Sequence, residues 1–295
     1  DRLADRVRHW VPVNEPNVAT MFGYAVGLHA PGRRLMFDAL HVSHHLLLAH
    51  GRGAVALRAA GAESIGCANH HAPMWPATED EADVGATKLF DALWNGMFLE
   101  PMLLGRYPAD LQPLVEGLVQ DGDLATIRQP LDFYGINYFM PMRVGAAPED
   151  SDMFFALYDL VGYPETDFGW PVVPDALREW LITFRARYRA ALPPLVVTEC
   201  GAAYSGEPDA DGRVEDQARI DYLHGHLEAV AAACRRGVDV RALYVWSLLD
   251  TFEWTEGYAQ RFGLVHVDPV TQRRTPKESF HWLAELIASQ SPSVG

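Results

Sequence analysis

The chain has few cysteines and no long apolar run. No stretch reaches 18 apolar residues without a charge, and no basic segment followed by an apolar one opens the chain. The sequence therefore predicts neither a membrane span nor a signal peptide. The three cysteines form no CxxC pair and cannot all be bridged. This usage suits a reducing compartment, and we expect a cytoplasmic protein.

Positive charge is also scarce. Lysine and arginine total 24 against 39 acidic residues, which gives a formal net charge of −15. A chain of this charge repels phosphate backbones, so nucleic acid is not an expected partner. With 295 residues and 49% apolar content, the chain has the composition of an ordinary globular protein. We expect one domain over residues 1–295.

Five apolar runs alternate with five helical patterns along the chain. The runs that predict strands lie in 8–13, 64–78, 131–141, 194–201 and 240–254, the second and last of these leading into loops. Helical spacing covers 35–60, 82–99, 175–190, 215–236 and 276–289, and residues 145–170 have no clear period and are predicted to be a loop. Such alternation is typical of parallel strands joined by helical crossovers.

Polar side chains occur where several of these strands should stop. Glu15, Asn137, Glu199 and Glu253 all follow apolar runs. In folds of parallel strands, catalytic groups lie at the carboxyl ends of the strands. We therefore expect these four side chains to converge on one opening.

Four motifs carry a resemblance to a known family. They are "NEP" at 14–16, "GINYF" at 135–139, "VTECG" at 197–201 and "WSLLDTFEWTEGYAQRFGLVHVD" at 246–268. Together they resemble the family-1 glycoside hydrolases, the β-glucosidase family of retaining enzymes on a (β/α)8 TIM barrel, over essentially the whole chain. The resemblance implies a partial barrel, with about five parallel βα units that correspond to strands 4–8.

The resemblance also implies roles for individual residues. Glu15 matches the acid/base and Asn14 the residue that holds the sugar 2-hydroxyl. Glu199 matches the nucleophile, and Tyr138 the tyrosine that hydrogen-bonds to it. The sugar-binding wall would consist of Asn137, Trp246, Glu253, Trp254 and Phe262.

Each motif also has a simpler explanation when taken alone. Asn14-Glu15-Pro16 fits a helix cap with proline in the first turn, and Glu199 fits a surface turn. Trp246 and Trp254 could be packing residues, and Glu253 a solvated charge. Their joint occurrence in family order favours the site.

Histidines raise the question of a metal. His44, His45 and His50 lie on one predicted helix, and His70 and His71 follow a strand. Neither group has carboxylates close by in sequence that would orient metal ligands. We therefore expect no metal and no other cofactor.

The departures from the family pattern matter for activity. The chain begins at the position of the fourth strand, so the N-terminal third of the family has no counterpart here. The glutamine, the His-Trp pair and the arginine that the family carries there are absent, and Cys200 replaces an asparagine after the nucleophile. Five strands alone would leave two open edges and an exposed apolar face.

These observations lead to one expected function and one alternative. We expect a retaining β-glycoside hydrolase of reduced activity that acts on small β-glycosides or oligosaccharides. Association as a homo-oligomer, or with a complementing N-terminal chain, would cover the exposed face. The alternative is a weak or inactive sugar-binding or scaffold relic that needs a partner chain.

Overall fold

A parallel sheet of five strands forms the centre of the molecule. The computed structural model describes residues 2–151 and 153–290. In spatial order the sheet consists of β1 (His9–Trp10), β2 (Ser64–His70), β4 (Phe133–Tyr138), β7 (Leu195–Cys200) and β8 (Val240–Val245). All four neighbouring pairs are parallel. The prediction of parallel strands is confirmed.

Helices connect these strands, as the alternation predicts. Their bounds are α1 (Pro16–Val18), α2 (Leu40–Ala59), α3 (Glu81–Asp91), α4 (Met97–Leu104), α5 (Gln112–Val115), α6 (Asp123–Ile127), α7 (Pro174–Tyr188), α8 (Gln217–Arg235) and α9 (Glu278–Gln290). Wider π-helical turns occupy Ala19–Ala25 and Ala92–Gly96, and 3-10 turns occur at Met36–Ala39, Ala109–Leu111, Arg189–Ala191 and Trp254–Glu256. Among the described residues, no helix combines the length and the hydropathy that a bilayer crossing needs.

Two smaller sheets differ from the prediction. Strands β3 (Met74–Pro76), β5 (Met142–Ala146) and β6 (Phe155–Tyr158) form one sheet, in which β5 and β6 are antiparallel. Strands β9 (Val265–Val267) and β10 (Arg274–Pro276) form an antiparallel pair. The prediction that 145–170 is a loop was therefore wrong at 145–146 and 155–158, where short strands pack buried Val144 and partly buried Phe155 in one cluster with Phe90. Runs this short give too few alternations to be recognised.

The helical pattern predicted at 82–99 continues beyond its predicted stop. It consists of α3, the π-turn and α4, and α4 runs through Pro101 to a left-handed Gly105. Five apolar side chains of α4 are buried: Met97, Phe98, Leu99, Met102 and Leu103. Burying such side chains stabilises by about 1.5–3 kcal/mol each, which outweighs the roughly 3 kcal/mol that a proline inside a helix costs.

The sheet is open at both ends. Within residues 2–151 and 153–290, no ladder joins β1 to β8. The main core lies between the central strands and the surrounding helices. Around β8 and the segment after it, large apolar side chains are exposed, namely Tyr244, Leu248, Leu249, Phe252, Trp254 and Tyr258. This is the exposed apolar surface that five strands without closure predict.

Candidate active site

The carboxyl ends of four strands bring the candidate site together. Asn14 forms a parallel bridge with Ala68, which extends the pairing of β1 with β2 beyond Trp10. Across the sheet, His70 is opposite Asn137, and Asn137 is opposite Glu199. The ladder shifts by one residue between Ile136 and Asn137, and such an irregularity re-aims a side chain near a site.

The Asn137 amide links the two predicted catalytic segments. Asn137 is fully buried, and its Nδ2 donates to Glu15 Oε1 at 2.8 Å and to Asn14 Oδ1 at 3.2 Å. Its Oδ1 accepts a hydrogen bond from the Thr198 hydroxyl at 2.5 Å. With its NH2 end turned to the oxygens of Glu15 and Asn14, the amide leaves its Oδ1 to accept from the Thr198 hydroxyl.

Glu15 lies in an unusual backbone conformation at the start of α1. Its φ is 47° and its ψ is 58°, in the left-handed region, which a non-glycine residue seldom adopts outside functional sites. Its N–H donates to the Ala68 carbonyl at 2.8 Å, and its own carbonyl accepts from Ala19 at 3.0 Å. These bonds hold the turn, so the conformation aims the carboxyl at Asn137 instead of along the helix.

Burial raises the pKa of Glu15 to about 7. The hydrogen bond from Asn137 opposes this rise because it favours the charged form, and the nearby Glu253 carboxylate adds to it. Burial, followed by repulsion from Glu15, raises the pKa of Glu199 to about 8. The amides of Asn137 and Asn14 offset part of that rise. Repulsion between two such carboxyls is mutual, so the two pKa values describe the pair and not one residue each. Near neutral pH the pair holds one proton for a large share of the time.

Glu253 is the third carboxyl of the cluster. Burial raises its pKa, a hydrogen bond from the Trp246 side chain lowers it, and Glu256 raises it further. Among the described groups, no hydrogen-bond donor contacts its buried Oε2. A sugar hydroxyl is a donor of the kind that this oxygen lacks.

Gly201 allows the Glu199 strand to approach the Trp246 segment. A Cβ at Gly201 would overlap the Trp246 carbonyl, so a side chain at this position would push the two segments apart. The Trp246 N–H donates to the Cys200 carbonyl at 3.1 Å. Trp246 and Glu199 are thereby held at neighbouring strand ends.

Arg219 joins the two loops that flank the candidate site, which sequence reasoning did not foresee. Its guanidinium is buried and donates to the carbonyls of Ala202, Tyr204, Arg261 and Phe262. It is paired with buried Asp216 at 2.9 Å. The planar guanidinium group has five N–H donors, which suits it to this many carbonyl partners. The only sequence signal was an arginine within an otherwise amphipathic helix.

The prediction that Tyr138 hydrogen-bonds to Glu199 is wrong. The Tyr138 hydroxyl donates to the Val173 carbonyl at 3.0 Å, and its ring packs against His226 of α8. Side chains alternate across a strand, and because Asn137 faces Glu15, its neighbour faces the helices. Phe139, the next residue, has no hydroxyl.

Two further predicted sugar-wall residues have different surroundings. Trp254 is 60% exposed and stacks on His29 with ring centroids 5.2 Å apart. Phe262 is buried against Phe139, Phe168 and Trp170. Phe262 is therefore enclosed by other aromatic rings, while Trp254 remains largely exposed to solvent.

Several residues at the site were missed by sequence reasoning. His70 stacks on Phe139 at 5.9 Å and accepts from the Trp94 indole N–H at 3.1 Å. Burial and the neighbouring His71 lower the pKa of His70 to about 3, so His70 is neutral. Thr198 gave a usable signal, since it immediately precedes Glu199, whereas the approach of Trp94 depends on the π-turn.

The histidines do not assemble a metal centre in the described part of the chain. His44 contacts Tyr107 and Asp123, and His71 contacts Asn95 and Tyr134. Across residues 2–151 and 153–290, no group of three or more His, Cys, Asp or Glu side chains is placed to hold a metal ion.

Comparison with known proteins identifies the class. The sequence profile of glycosyl hydrolase family 1 matches residues 1–292, and the chain belongs to this family.

Two curated relatives are β-glucosidase A of Thermotoga maritima, 35% identical over 293 residues, and a β-glucosidase of Agrobacterium sp., 40% identical over 292 residues. Each alignment covers 97% of this chain, but the chain spans only 65% and 63% of the length of the two relatives.

Solved structures agree with the sequence comparison. The psychrophilic β-glucosidase from Micrococcus antarcticus superposes with a TM-score of 0.90 at 40% identity, over 98% of this chain and 67% of that one. The family 1 β-glucosidase from Thermotoga maritima in complex with isofagomine lactam gives 0.89 at 35% identity, over 97% and 64%. The five-stranded parallel sheet is thus a part of the barrel that this family forms.

Proposed function

We propose that the chain carries the two-glutamate site of a retaining β-glycoside hydrolase. The observation that supports this most directly is the Asn137 amide, which donates to Glu15 and lies opposite Glu199 in the sheet. Retention requires two carboxyls about 5–5.5 Å apart, one protonated and one ionised. The raised pKa values of Glu15 and Glu199, together with their mutual repulsion, favour a pair that shares one proton.

The reaction then follows in two steps. The reactive form of the pair is the one that carries its single proton on Glu15; in that form the Glu199 carboxylate attacks the anomeric carbon while Glu15 gives its proton to the departing glycosidic oxygen. In the glycosyl ester the charge of Glu199 is gone, so the repulsion that Glu15 feels from it is removed. Glu15 takes a proton from water, the water attacks the anomeric carbon, and Glu199 leaves as carboxylate.

Binding of the sugar would use the groups around the pair. Asn14 would hold the 2-hydroxyl, and the unpartnered Glu253 oxygen would accept from outer hydroxyls. Trp246 and Trp254 offer aromatic faces to a pyranose. The relatives named above are β-glucosidases, so a β-glucoside is the first substrate to test.

We also infer that the five βα units correspond to strands 4–8 of the family's barrel, and that the turnover of these units by themselves is reduced. Fewer groups surround the sugar here than in a closed barrel, and lost transition-state hydrogen bonds lower the rate. Association through the open edges of β1 and β8, with a second copy or a complementing chain, would bury the apolar surface near β8.

The test uses 2,4-dinitrophenyl β-glucoside, whose leaving group needs no acid. Glu199→Ala should abolish release of the phenol, and azide should restore it and yield the α-glucosyl azide. Glu15→Ala with azide should yield the β-glucosyl azide, because azide then replaces water on the covalent intermediate. Glu116→Ala, at an exposed glutamate, is the control and should behave as wild type. Azide products of one anomer from both variants would contradict these assignments.

Light scattering tests the association. We expect a mass above that of the 32.8 kDa chain at micromolar concentration, or a shift when a complementing chain is added. A stable, well-folded monomer without turnover that still binds glucose through Trp246 would instead favour the sugar-binding alternative.

A further inference from the structure

Lysine is rare in this chain, and one of its two lysines is buried. Lys88 is exposed on α3, whereas Lys277, between β10 and α9, is 1% exposed. Lysine is almost never fully buried unless it is paired. The Lys277 Nζ lies 3.0 Å from Asp250 Oδ1, and the side chain of Asp250 is 2% exposed. The two residues therefore form a buried ion pair.

Asp250 lies at the base of the loop that carries Glu253. We call residues 251–262 the Glu253 loop. The Asp250 Oδ1 accepts a hydrogen bond from the Gly263 N–H at 2.9 Å, and its Oδ2 accepts one from the Val267 N–H at 3.3 Å. The carboxylate thereby joins the chain that enters the Glu253 loop to the chain that leaves it.

The two arms of the Glu253 loop meet closely at this base. The Asp250 N–H donates to the Val265 carbonyl at 3.0 Å, and a Cβ at Gly263 would overlap the Asp250 nitrogen. The Lys277 N–H donates to the Leu264 carbonyl at 2.9 Å. Lys277 is thus bonded to the leaving arm through its backbone and to the entering arm through its ammonium group.

The charges around this base depend on one another. Arg219 is paired with Asp216 at 2.9 Å, and Arg261 Nη1 is 3.8 Å from Asp250 Oδ2, which is too long for a hydrogen bond. Burial, followed by repulsion from Arg219, lowers the pKa of Lys277 to about 8, although Asp250 and Asp216 favour its charged form. Lys277 is therefore mostly charged at pH 7, and its removal would leave the buried Asp250 carboxylate without its close partner.

The Trp246 side chain reports the position of the Glu253 loop. It donates a hydrogen bond to Glu253, and the indole N–H is the donor that a tryptophan side chain has. Trp246 precedes the Glu253 loop and Glu253 lies within it, so this bond spans the segment that Asp250 anchors. A displacement of the Glu253 loop would break it.

We propose that the Lys277–Asp250 pair positions Glu253 for binding the outer hydroxyls of the sugar. Lys277 and Asp250 act through the Glu253 loop and are positioning residues. The inference rests on the proposed function, because Glu253 binds a sugar only if the site takes a glycoside.

The first readout is the Trp246 indole N–H resonance of the isotopically labelled chain, assigned through Trp246→Phe. Lys277→Met should move this resonance upfield, because the unpaired carboxylate draws the Glu253 loop toward water and the indole loses its acceptor. The Trp180 indole resonance should stay in place. Lys88→Met removes the other lysine at an exposed position and should change neither resonance.

Two double variants separate the charge from the hydrogen bonds. Lys277→Met with Asp250→Asn should return the Trp246 resonance toward its wild-type position, because the amide needs no counter-charge and its oxygen still accepts from Gly263. Lys277→Met with Asp250→Ala, which lacks this oxygen, should leave the resonance displaced.

The second readout compares 2,4-dinitrophenyl β-glucoside with the corresponding β-xyloside, which lacks the hydroxymethyl group of the glucoside. Lys277→Met should lower kcat/KM for the glucoside about tenfold more than for the xyloside, because the glucoside loses a hydrogen bond to the Glu253 carboxylate. A smaller fraction of folded protein would lower both values equally and leave their ratio unchanged.

The outcomes separate this inference from the proposed function. Turnover of neither substrate by the wild type would contradict the proposed function, and the Trp246 resonance would then decide on the pair. A folded Lys277→Met variant with the wild-type Trp246 resonance and the wild-type ratio of the two substrates would overturn the inference. Where Lys277→Met fails to fold, the two double variants decide, and the same Trp246 resonance in both would overturn it.

Discussion

Glu199→Gln should make the protein more stable above pH 5, and increasingly so as the pH rises. The pKa of Glu199 is raised from its ordinary 4.5 to about 8. The folded state therefore holds a proton that the unfolded state releases, and stability falls as the pH climbs from about 4.5 to about 8. Glutamine has nearly the same shape, still accepts from an amide and does not titrate, so the variant escapes this loss.

The magnitude follows from the linkage relation. At pH 7 the unfolded carboxyl lies 2.5 units above its pKa of 4.5, and one unit is worth about 1.36 kcal/mol. The variant should thus gain up to roughly 3 kcal/mol at pH 7 and just under about 1 kcal/mol at pH 5. The figure is an upper value because the NH2 end of the new glutamine must find acceptors in the buried site that the protonated carboxyl did not need.

Urea unfolding at pH 5, 6, 7 and 8, followed by far-ultraviolet circular dichroism, measures the difference. Urea is preferred to guanidinium because it does not screen charges. Glu116→Gln, at an exposed glutamate, should follow the wild-type curve because its carboxylate remains in water in both states. A gain from Glu199→Gln that does not change with pH, or a loss at pH 8, would refute the burial and repulsion that we assign to Glu199.

Three further predictions concern the pair and its supports. Hydrolysis of a nitrophenyl β-glucoside should be fastest near pH 7–8 and slower on both sides. The reason is that the singly protonated pair is most populated between the pKa values of about 7 and about 8. A rate profile centred at pH 5 would contradict this prediction. Asn137→Ala should shift the profile to higher pH, because its amide favours the charged form of Glu15, and an unchanged profile would remove Asn137 from the pair. Arg219→Met should destabilise by about 3–5 kcal/mol in urea, since it leaves buried Asp216 unpaired, whereas Arg241→Met, at an exposed pair, should change little.

Much of the scaffold was predictable because it depends on local patterns. The five parallel strands were predicted from apolar runs that alternate with helical patterns. Glu15, Asn137 and Glu199 were predicted as site residues because they lie at the ends of these strands. The short strands β5 and β6 were missed because the packing of Val144 and Phe155 with Phe90 is a tertiary contact that no run of four or five residues encodes by itself.

The side-chain directions were harder to predict than the positions. A motif such as "GINYF" does not reveal that the ladder shifts at Asn137, and the shift places Asn137 opposite Glu199. Alternation then turns Tyr138 toward α8, where Val173 accepts its hydroxyl. Similarly, nothing local in the sequence indicates that Arg219 binds carbonyls more than 40 residues away.

The two glutamates are supported unequally, and this bears on how association would act. Glu199 ends a strand with neighbours on both sides, and Arg219 ties down the loop that follows it. Glu15 follows a two-residue strand at the open edge of the sheet. It is held mainly by the hydrogen bond from its N–H to the Ala68 carbonyl and by the hydrogen bond from the Asn137 amide to its carboxyl. Edge strands are the least protected part of a sheet. A partner that pairs with β1 would therefore order Glu15, the proposed acid/base, more than Glu199, the proposed nucleophile, and its effect on rate would be largest for substrates whose leaving group needs a proton.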